Sequence, residues 1–241
     1  MSAQHRVPVI LTRAKAQSER FATELPDGTE PVVSPLLEIK VLPLRAGPRP
    51  EETLLFTSEN GVAALVAHKG GYAGQTALCV GDRTAEAART AGFAAQSANG
   101  SAEDLVELAM RSSGDFAHVR GFHSRGDVAK QLRLAGHTCR EIVLYDQLER
   151  GLSPEARKIL DTKRTCLVPL FSPRTAILFS NAQPAAPAAH MICLSATVAE
   201  AVSDGDYASI SISNAPKASA LLVALRNRLE SIRLETRGVS G

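Results

Sequence analysis

The sequence predicts an α/β protein built from two doubly wound, parallel-sheet domains of the flavodoxin-like kind. Short apolar runs alternate with helical stretches along the 241 residues, a pattern typical of repeated β-α units. A strand followed at once by a serine-capped helix occurs twice, at residues 54–65 and 167–176. In each copy the next strand closes 23 residues after the serine, at Gly81 (81 − 58) and Ser195 (195 − 172). This equal spacing predicts an internal duplication on the scale of a domain.

Apolar runs and helix-start signals place the elements of the first half. The first predicted strand is Val7–Leu11, with a helix after it from Lys15 to Leu25. Residues 31–42 are extended and carry Pro35, so we interpret them partly as a connector. The elements predicted next are strands at 54–56 and 77–80, and helices beginning near Asn60, at Thr84 and at Leu105.

The second half repeats the pattern of the first. A strand at 116–122, a helix at 127–134 and a strand at 141–145 echo residues 7–37. In both stretches a hydroxyl residue and an arginine follow the first strand. The remaining predictions are a helix at 153–160, the second copy of the serine motif, a Pro- and Ala-rich loop at 183–189, a last helix at 218–232 and a frayed tail at 233–241.

Two connecting segments, residues 34–42 and 145–151, predict a discontinuous first domain. A chain that crosses into a second domain and later returns leaves its first domain in two pieces. We therefore predict a first domain at 1–36 and 150–241, and a second at 37–149. The two crossings form a two-segment linker, and we expect a cleft between the domains.

Composition excludes several classes of function. A net charge of +2 is too weak to favour nucleic acid or a membrane surface. The four cysteines lie apart with no C-x-x-C spacing, which indicates reduced thiols rather than zinc ligands or disulfides. The apolar run near the N-terminus, residues 7–11, is too short for a signal peptide or a membrane span. We expect a cytoplasmic monomer.

Hydroxyl and cationic residues collect where the predicted strands end. Ligands of open α/β sheets bind beyond the carboxyl ends of the strands, so these residues define a candidate site. The hydroxyl residues are Thr12, Ser58, Thr84, Ser124, Ser172 and Thr197, and the cations are Arg13, Arg83, Arg125 and Arg174. Four arginines at one topological edge favour a ligand with several carboxylates or phosphates. The alternative is that each makes a surface ion pair worth about 0–1 kcal/mol.

Motifs for cofactors are missing from the sequence. Neither G-x-G-x-x-G nor G-x-x-x-x-G-K-[ST] occurs, so nucleotide binding has no support. The six histidines show no ligand spacing, and His118 and His123 on a predicted strand are interpreted as packing or surface groups. We predict no cofactor and no metal.

Four motifs taken together resemble uroporphyrinogen-III synthases. They are F-T-S-E-N-G-V at 56–62, V-G-D-R-T-A at 80–85, R-G-D-V-A-K-Q-L at 125–132 and V-L-Y at 143–145. The likeness covers about residues 7–225. It implies a cofactor-free and metal-free lyase that cyclises the linear tetrapyrrole hydroxymethylbilane, inverts its last pyrrole ring and releases water. A substrate fringed with acetate and propionate groups suits an arginine-lined cleft.

The resemblance also assigns roles to residues. Tyr145 is the candidate for assisting departure of the substrate hydroxyl, because its phenol stays protonated near pH 7. The alternative is a tyrosine that only packs between the domains. The residues implied to bind substrate are Thr12, Arg13, Ser58, Gly81, Arg83, Thr84, Ser124, Arg125, Gly126, Ser172, Arg174 and Thr197. Backbone amides at 81–84 and 195–197 are expected to hold carboxylates.

The second copy departs from the family pattern. Ser195 stands where the family usually shows glycine, and Val198 stands where it shows a hydroxyl residue. Thr197 lies one position earlier and compensates in part. This departure weakens the assignment of Thr197 and leaves open a less active or specialised enzyme.

Two other functions fit the same residues. One is a non-catalytic two-domain protein that binds a polycarboxylate metabolite in the same cleft. The other is a structural partner in a complex of the haem pathway. The sequence contains no exposed amphipathic stretch that would support this function. For the synthase we expect the linear tetrapyrrole as the only small-molecule partner, no nucleic acid or membrane, and a transient contact with the preceding pathway enzyme.

Overall fold

The chain forms two compact units. A computed structural model describes residues 6–123 and 126–238, without the side chains of 237 and 238. One unit comprises Met1–Glu38 and Glu149–Gly241, and the other comprises Ile39–Leu148. The predicted crossings, at 36/37 and 149/150, lie within two residues of these divisions. The linker and the cleft stay predictions.

Strands and helices alternate through both units. The strands of the described residues are β1 (Val7–Leu11), β2 (Thr29–Val33), β3 (Leu37–Val41), β4 (Thr53–Phe56), β5 (Thr76–Cys79), β6 (Ala94–Ser97), β7 (Phe116–Gly121), β8 (Cys139–Glu149), β9 (Cys166–Leu170), β10 (Ala185–Cys193) and β11 (Asp206–Ile212). The helices are α1 (Lys15–Ala22), α2 (Glu59–Ala67), α3 (Asp82–Thr90), α4 (Ala102–Met110), α5 (Val128–Leu134), α6 (Pro154–Asp161), α7 (Pro173–Ala182), α8 (Ala196–Glu200) and α9 (Ala218–Gly238).

Each unit is organised around a parallel sheet, which confirms the predicted fold class. The five-stranded sheet has the order β11-β10-β9-β1-β2, and all four pairings are parallel. The six-stranded sheet has the order β3-β8-β7-β4-β5-β6. Its pairings from β8 to β6 are parallel. β3 runs antiparallel to β8, since the amide of Leu42 bonds to Leu144 and that of Arg150 bonds to Leu36.

The two sheets share one spatial order that the chain enters at different strands. The order β2-β1-β9-β10-β11 matches β8-β7-β4-β5-β6 when β9 is paired with β4 and β1 with β7, as the duplication predicts. Along the chain, strand order reverses between β1 and β9 in one sheet and between β7 and β4 in the other. A ligand crevice of a doubly wound sheet opens at such a reversal.

Apolar side chains cover both faces of each sheet. All five residues of β9 are buried, as expected for a parallel strand with helices on both sides. The four cysteines are buried and unbridged, as predicted. Burial raises the thiol pKa of Cys79 and Cys139 to about 11, and that of Cys166 and Cys193 to about 12. Their position in the cores fits packing rather than chemistry.

Three sequence-based assignments were wrong. The predicted loop at 183–189 is largely strand, since β10 begins at Ala185. Its pairing with β11 shifts register between Ala186 and His190, and this irregularity accommodates Pro187. The tail predicted from residue 233 is helical through Gly238. The edge strands β6 and β11 were missed because neither contains a continuous apolar run.

A buried ion pair fixes the loop that leads into β4. Glu52 is 3% exposed and accepts two hydrogen bonds from Arg140 of β8, at 2.5 and 2.7 Å. The same guanidinium donates to the carbonyl of Gly47 at 2.6 Å. Burial raises the pKa of Glu52, but the hydrogen bonds from Arg140 and from the Arg49 amide outweigh it, so the pKa is lowered.

In the described part of the chain, no helix is long and apolar enough to cross a membrane.

Replacing Glu52 by glutamine is expected to lower the free energy of unfolding by about 2 kcal/mol, because Arg140 loses its charged partner. The lowered pKa means that the pair stabilises the fold at neutral pH. This contribution begins to fall when the pH drops to the ordinary carboxyl pKa of about 4, and it is lost as the pH passes through the lowered pKa of Glu52. Urea denaturation of both proteins at pH 7 and pH 3.5 measures the decrease. The control is Glu86→Gln in the exposed pair with Arg89, expected to change stability by less than about 0.5 kcal/mol. Equal effects of the two substitutions, or an effect of Glu52→Gln that is as large at pH 3.5 as at pH 7, would contradict the prediction.

Candidate functional site

Ser58 opens a helix at the carboxyl edge of the six-stranded sheet. Its backbone is extended, with φ of −158°, and its Oγ accepts the amide hydrogen of Asn60 at 3.2 Å. This arrangement is the N-cap that the sequence predicts. It satisfies one of the N–H groups at the first turn of α2, and the carbonyl of Ser58 accepts a second, that of Gly61, at 3.0 Å.

The side chain of Tyr145 lies against the end of β7. Tyr145 lies on β8 beside Gly121 of β7 and is 4% exposed. Burial raises the pKa of Tyr145, and the neighbouring Ser58 side chain, the Gly121 backbone and the charge of Arg120 oppose that rise without cancelling it. The phenol is therefore neutral at physiological pH and retains its proton.

Gly121 is a site residue that the sequence analysis missed. A Cβ at this position would lie 2.6 Å from Cε2 and 2.7 Å from Cζ of Tyr145, so only glycine lets the ring lie there. The β7–β8 register shifts between Arg120 and Gly121, a bulge that places Gly121 opposite Tyr145. A glycine inside a predicted strand signals a bulge or a close approach, and that signal was present in the sequence.

The turn after β5 lies beside the turn after β4 and contributes Gly81, Arg83 and Thr84. Gly81 is the N-cap of α3 with φ of −154°, a conformation open to any residue. A Cβ there would meet no atom within 4 Å. Neither the backbone nor packing therefore requires glycine at this position. Thr84 is buried in the first turn of α3, and Arg83 is exposed.

The five-stranded sheet carries a corresponding set after β1 and β9. Thr12 is 1% exposed and its hydroxyl has no hydrogen-bond partner. The guanidinium of Arg13 lies over the ring of Phe171, 4.4 Å from its centroid. Ser172 caps α7 by accepting the amide hydrogen of Thr175 at 3.2 Å. These groups lie at the β1/β9 reversal of strand order.

The other predicted site residues differ in their surroundings. Arg174 forms an ion pair with Glu149 at 3.6 Å, so part of its charge is already neutralised. Thr197 is exposed on the short helix α8, whose N-cap Ser195 makes no side-chain capping bond. Gly126 has a φ of +73°, which favours glycine. Ser124 and Arg125 lie outside the described residues.

The candidate site in the six-stranded sheet brings a neutral, buried phenol and the N-termini of two helices to one edge of the sheet. A protonated phenol is able to donate a proton, and helix N-termini favour a nearby anion. Residues 6–123 and 126–238 contain no cluster of three or more His, Cys, Asp or Glu that could hold a metal ion.

Known structures share this fold. The uroporphyrinogen-III synthetase of Helicobacter pylori 26695 has a TM-score of 0.66 and 17% identity, over 92% of this chain and 99% of the other. A mutant uroporphyrinogen III synthase of the extremely thermophilic bacterium Thermus thermophilus has a TM-score of 0.55 and 17% identity, over 93% of this chain and 99% of the other. At this identity the likeness establishes the fold. No curated protein sequence matches the chain.

The family follows from the sequence match, and with it the class of protein. The family model described as uroporphyrinogen-III synthase HemD matches residues 20–223, which is most of the chain. A family match over this length, on a doubly wound fold, defines an enzyme of tetrapyrrole synthesis. The chain belongs to the uroporphyrinogen-III synthase family.

Replacing each of the two glycines of this site by alanine is expected to change a different property of the protein. Gly121→Ala forces the ring of Tyr145 out of place and should lower the free energy of unfolding by about 1–3 kcal/mol. Gly81→Ala meets open space and should leave the unfolding midpoint unchanged, while it raises KM by narrowing the approach to the amides of α3. Thermal unfolding of both variants, with steady-state kinetics of Gly81→Ala, measures this. A destabilised Gly81→Ala protein would refute the assignment of Gly81 to ligand binding.

Proposed function

We propose that this chain converts hydroxymethylbilane into uroporphyrinogen III as a cofactor-independent lyase, with Tyr145 as the proton donor to the departing hydroxyl. The observation that carries the proposal is the buried, neutral phenol of Tyr145, whose ring lies against Gly121 in the unit that also carries the helix starts at Ser58 and Gly81. Family membership supplies the reaction, and this geometry supplies the candidate acid.

The carboxylates of the substrate are proposed to bind the amides at the helix starts. Each helix N-terminus favours a nearby anion by about 0.3–1 kcal/mol. Gly81 has no side chain that could cover the N-terminus of α3, and the Ser58 hydroxyl accepts from one amide of α2, that of Asn60. In the other unit, Arg13 and the capped end of α7 offer a similar set of donors. Several such contacts would hold a flexible linear tetrapyrrole in one conformation.

The proposed chemistry begins with two proton transfers, one to the leaving hydroxyl and one from the pyrrole nitrogen. The C–O bond breaks and the hydroxyl takes the Tyr145 proton to leave as water. The pyrrole nitrogen gives up its N–H proton, which restores the phenol, so a neutral azafulvene results. A bond from its exocyclic carbon to the substituted carbon of the terminal ring gives a spiro intermediate, which rearranges with that ring inverted. Exclusion of water protects the azafulvene from quenching.

Further features are proposed for the enzyme as a whole. We propose domains at 1–36 with 150–241 and at 37–149, and a monomer located in the cytoplasm. Its partners would be the linear tetrapyrrole and, transiently, the preceding pathway enzyme that releases it. Size-exclusion chromatography at micromolar concentration tests the monomer, since a dimer would elute at twice the mass of 25.5 kDa.

The purified protein is expected to yield type III uroporphyrinogen from freshly prepared hydroxymethylbilane. Without an enzyme the substrate closes to the type I isomer, so the product ratio reports catalysis directly. After oxidation, chromatographic separation of the two uroporphyrins gives that ratio. Product of type I alone would overturn the proposal. Substrate binding without type III product would instead favour the non-catalytic polycarboxylate binder.

Tyr145→Phe is expected to lower kcat by about 100-fold, because the ring remains while the proton donor is lost. The control is Tyr207→Phe, since Tyr207 is also partly buried but donates to the Gln183 carbonyl at 3.1 Å, away from the site. Its kcat should stay within about twofold of the wild type. Initial rates of type III formation measure both. Full activity of Tyr145→Phe would remove the phenol from the mechanism.

A further inference from the structure

We propose that the Ile39–Leu148 unit has a second small-molecule site at the open edge of β8, and that its ligand is an apolar molecule with one anionic group. A cavity of about 610 Å³ lies there, lined by β8, by the loop that follows β3 and by the end of β7. Its volume falls within the range of about 300–1,000 Å³ that is common for ligand pockets. None of the residues that line it has a part in the proposed reaction, and the sequence assigned none of them to a site.

The cavity exists because β3 is too short to pair with the whole of β8. The amide of Leu42 donates to the Leu144 carbonyl at 2.7 Å, and in the described residues no later backbone hydrogen bond joins this loop to β8. Pro43 comes next and has no N–H group with which to extend the pairing. From residue 141 to 143, β8 therefore has a strand neighbour on the β7 side alone.

Fixed contacts close the open edge at both ends. At one end is the bond between Leu42 and Leu144. At the other, the guanidinium of Arg140 donates to the Gly47 carbonyl at 2.6 Å and to the buried carboxylate of Glu52, which ties the loop back to the strand. The three residues between these ends span about 10 Å, whereas an added strand commonly pairs over about five or six residues. The opening therefore suits a molecule of two or three rings better than an extended peptide.

Apolar side chains contribute much of the lining. Ile142 and Leu144 belong to the core of the unit, so the base of the cavity is fixed. Phe122 contributes from the end of β7 and is 64% exposed, although large apolar side chains are mostly buried in folded proteins. Its ring lies edge-on to that of His123, with 5.2 Å between the centroids. The exposed part of the Phe122 ring is therefore available to an apolar ligand.

The charges that line the cavity leave one cation without a partner. Arg140 is paired with Glu52, and Glu141 is paired with Arg120 at 2.5 Å. Arg45 is exposed on the loop and forms no ion pair with any carboxylate of residues 6–123 and 126–238. An uncompensated guanidinium beside apolar surface favours a ligand that has an anionic group at one end.

The edge of β8 adds polar groups of the backbone. The carbonyl of Thr138 accepts the amide hydrogen of Phe116 at 2.9 Å, so residues 138, 140 and 142 direct their backbone groups toward β7. Glu141 alternates with them, and its N–H and C=O groups point to the opposite side, toward the cavity. These groups supply a donor and an acceptor that orient a ligand in the opening.

Two fluorescent probes that differ in one group test the site. The anionic probe is 1-anilinonaphthalene-8-sulfonate, and the neutral probe, N-phenyl-1-naphthylamine, is the same molecule without the sulfonate. Both should bind with one molecule per chain and enhanced fluorescence. Arg45→Gln should raise the Kd of the anionic probe about fivefold and leave that of the neutral probe unchanged, because the variant loses the charge that faces the sulfonate. The control is Arg49→Gln, at an exposed arginine of the same loop outside the lining, which should change neither Kd.

A second pair of variants tests the apolar lining. Phe122→Ala should raise the Kd of both probes about tenfold, because each loses the surface of the ring. Leu134→Ala, at a side chain of the same unit that is 79% exposed, should leave both Kd values unchanged. All four substitutions lie at exposed side chains, so thermal unfolding should match that of the wild type and exclude loss of the fold.

Several results would overturn the inference. They are the absence of saturable binding of the anionic probe, equal effects of Arg45→Gln and Arg49→Gln, and a Kd that rises in Arg83→Gln instead of Arg45→Gln, which would locate the probe at the candidate site of the reaction. Failure of both probes, together with a dimer on size-exclusion chromatography, would assign the open edge to a second copy of the chain. Binding is measured without substrate, so these outcomes are independent of whether the protein forms the type III isomer.

Discussion

The reversal of strand order inside each sheet is the constraint on which the rest of the structure depends. On either side of the reversal, the connections leave the sheet in opposite directions, and the carboxyl ends of β7 and β4, and of β1 and β9, flank the two reversals. In doubly wound sheets a ligand crevice opens beyond strand ends of this kind. Hydroxyls and helix N-termini placed there are therefore candidate ligand groups.

The duplication explains why both units present similar groups. Substitutions between the two copies explain why these groups have different neighbours. One spatial order serves both sheets, so a serine after β4 and one after β9 occupy equivalent places. Each caps its helix through the same local geometry. The residue three positions later differs, since the Thr175 hydroxyl lies 2.8 Å from that of Ser172, whereas Gly61 offers no hydroxyl to Ser58. The two equivalent caps therefore have different neighbours.

Features that depend on neighbouring residues in the sequence were mostly predicted correctly, whereas features that depend on the pairing of distant strands were missed. The serine caps, the strand at β9 and the helix starts depend on neighbouring residues, so the sequence predicted them correctly. Gly121 escaped because its importance depends on a bulge and on register with β8, which appear only when the strands are paired. The strand β10 was misassigned because Pro187 argues against a strand unless a bulge relieves it. β11 alternates exposed and half-buried residues at a sheet edge and lacks an apolar run.

A phenol is the side chain that this environment can use as an acid. A buried carboxyl or imidazole would have to hold its proton against its ordinary pKa, and the imidazole of His118 shows the difficulty, since burial and Arg120 lower its pKa to about 4. Tyr145 starts from a pKa near 10, so burial strengthens its hold on the proton. The phenol therefore keeps its proton at neutral pH, where the imidazole of His118 carries no added proton. This difference is the reason why Tyr145, and not a buried histidine, is the candidate acid of the proposed reaction.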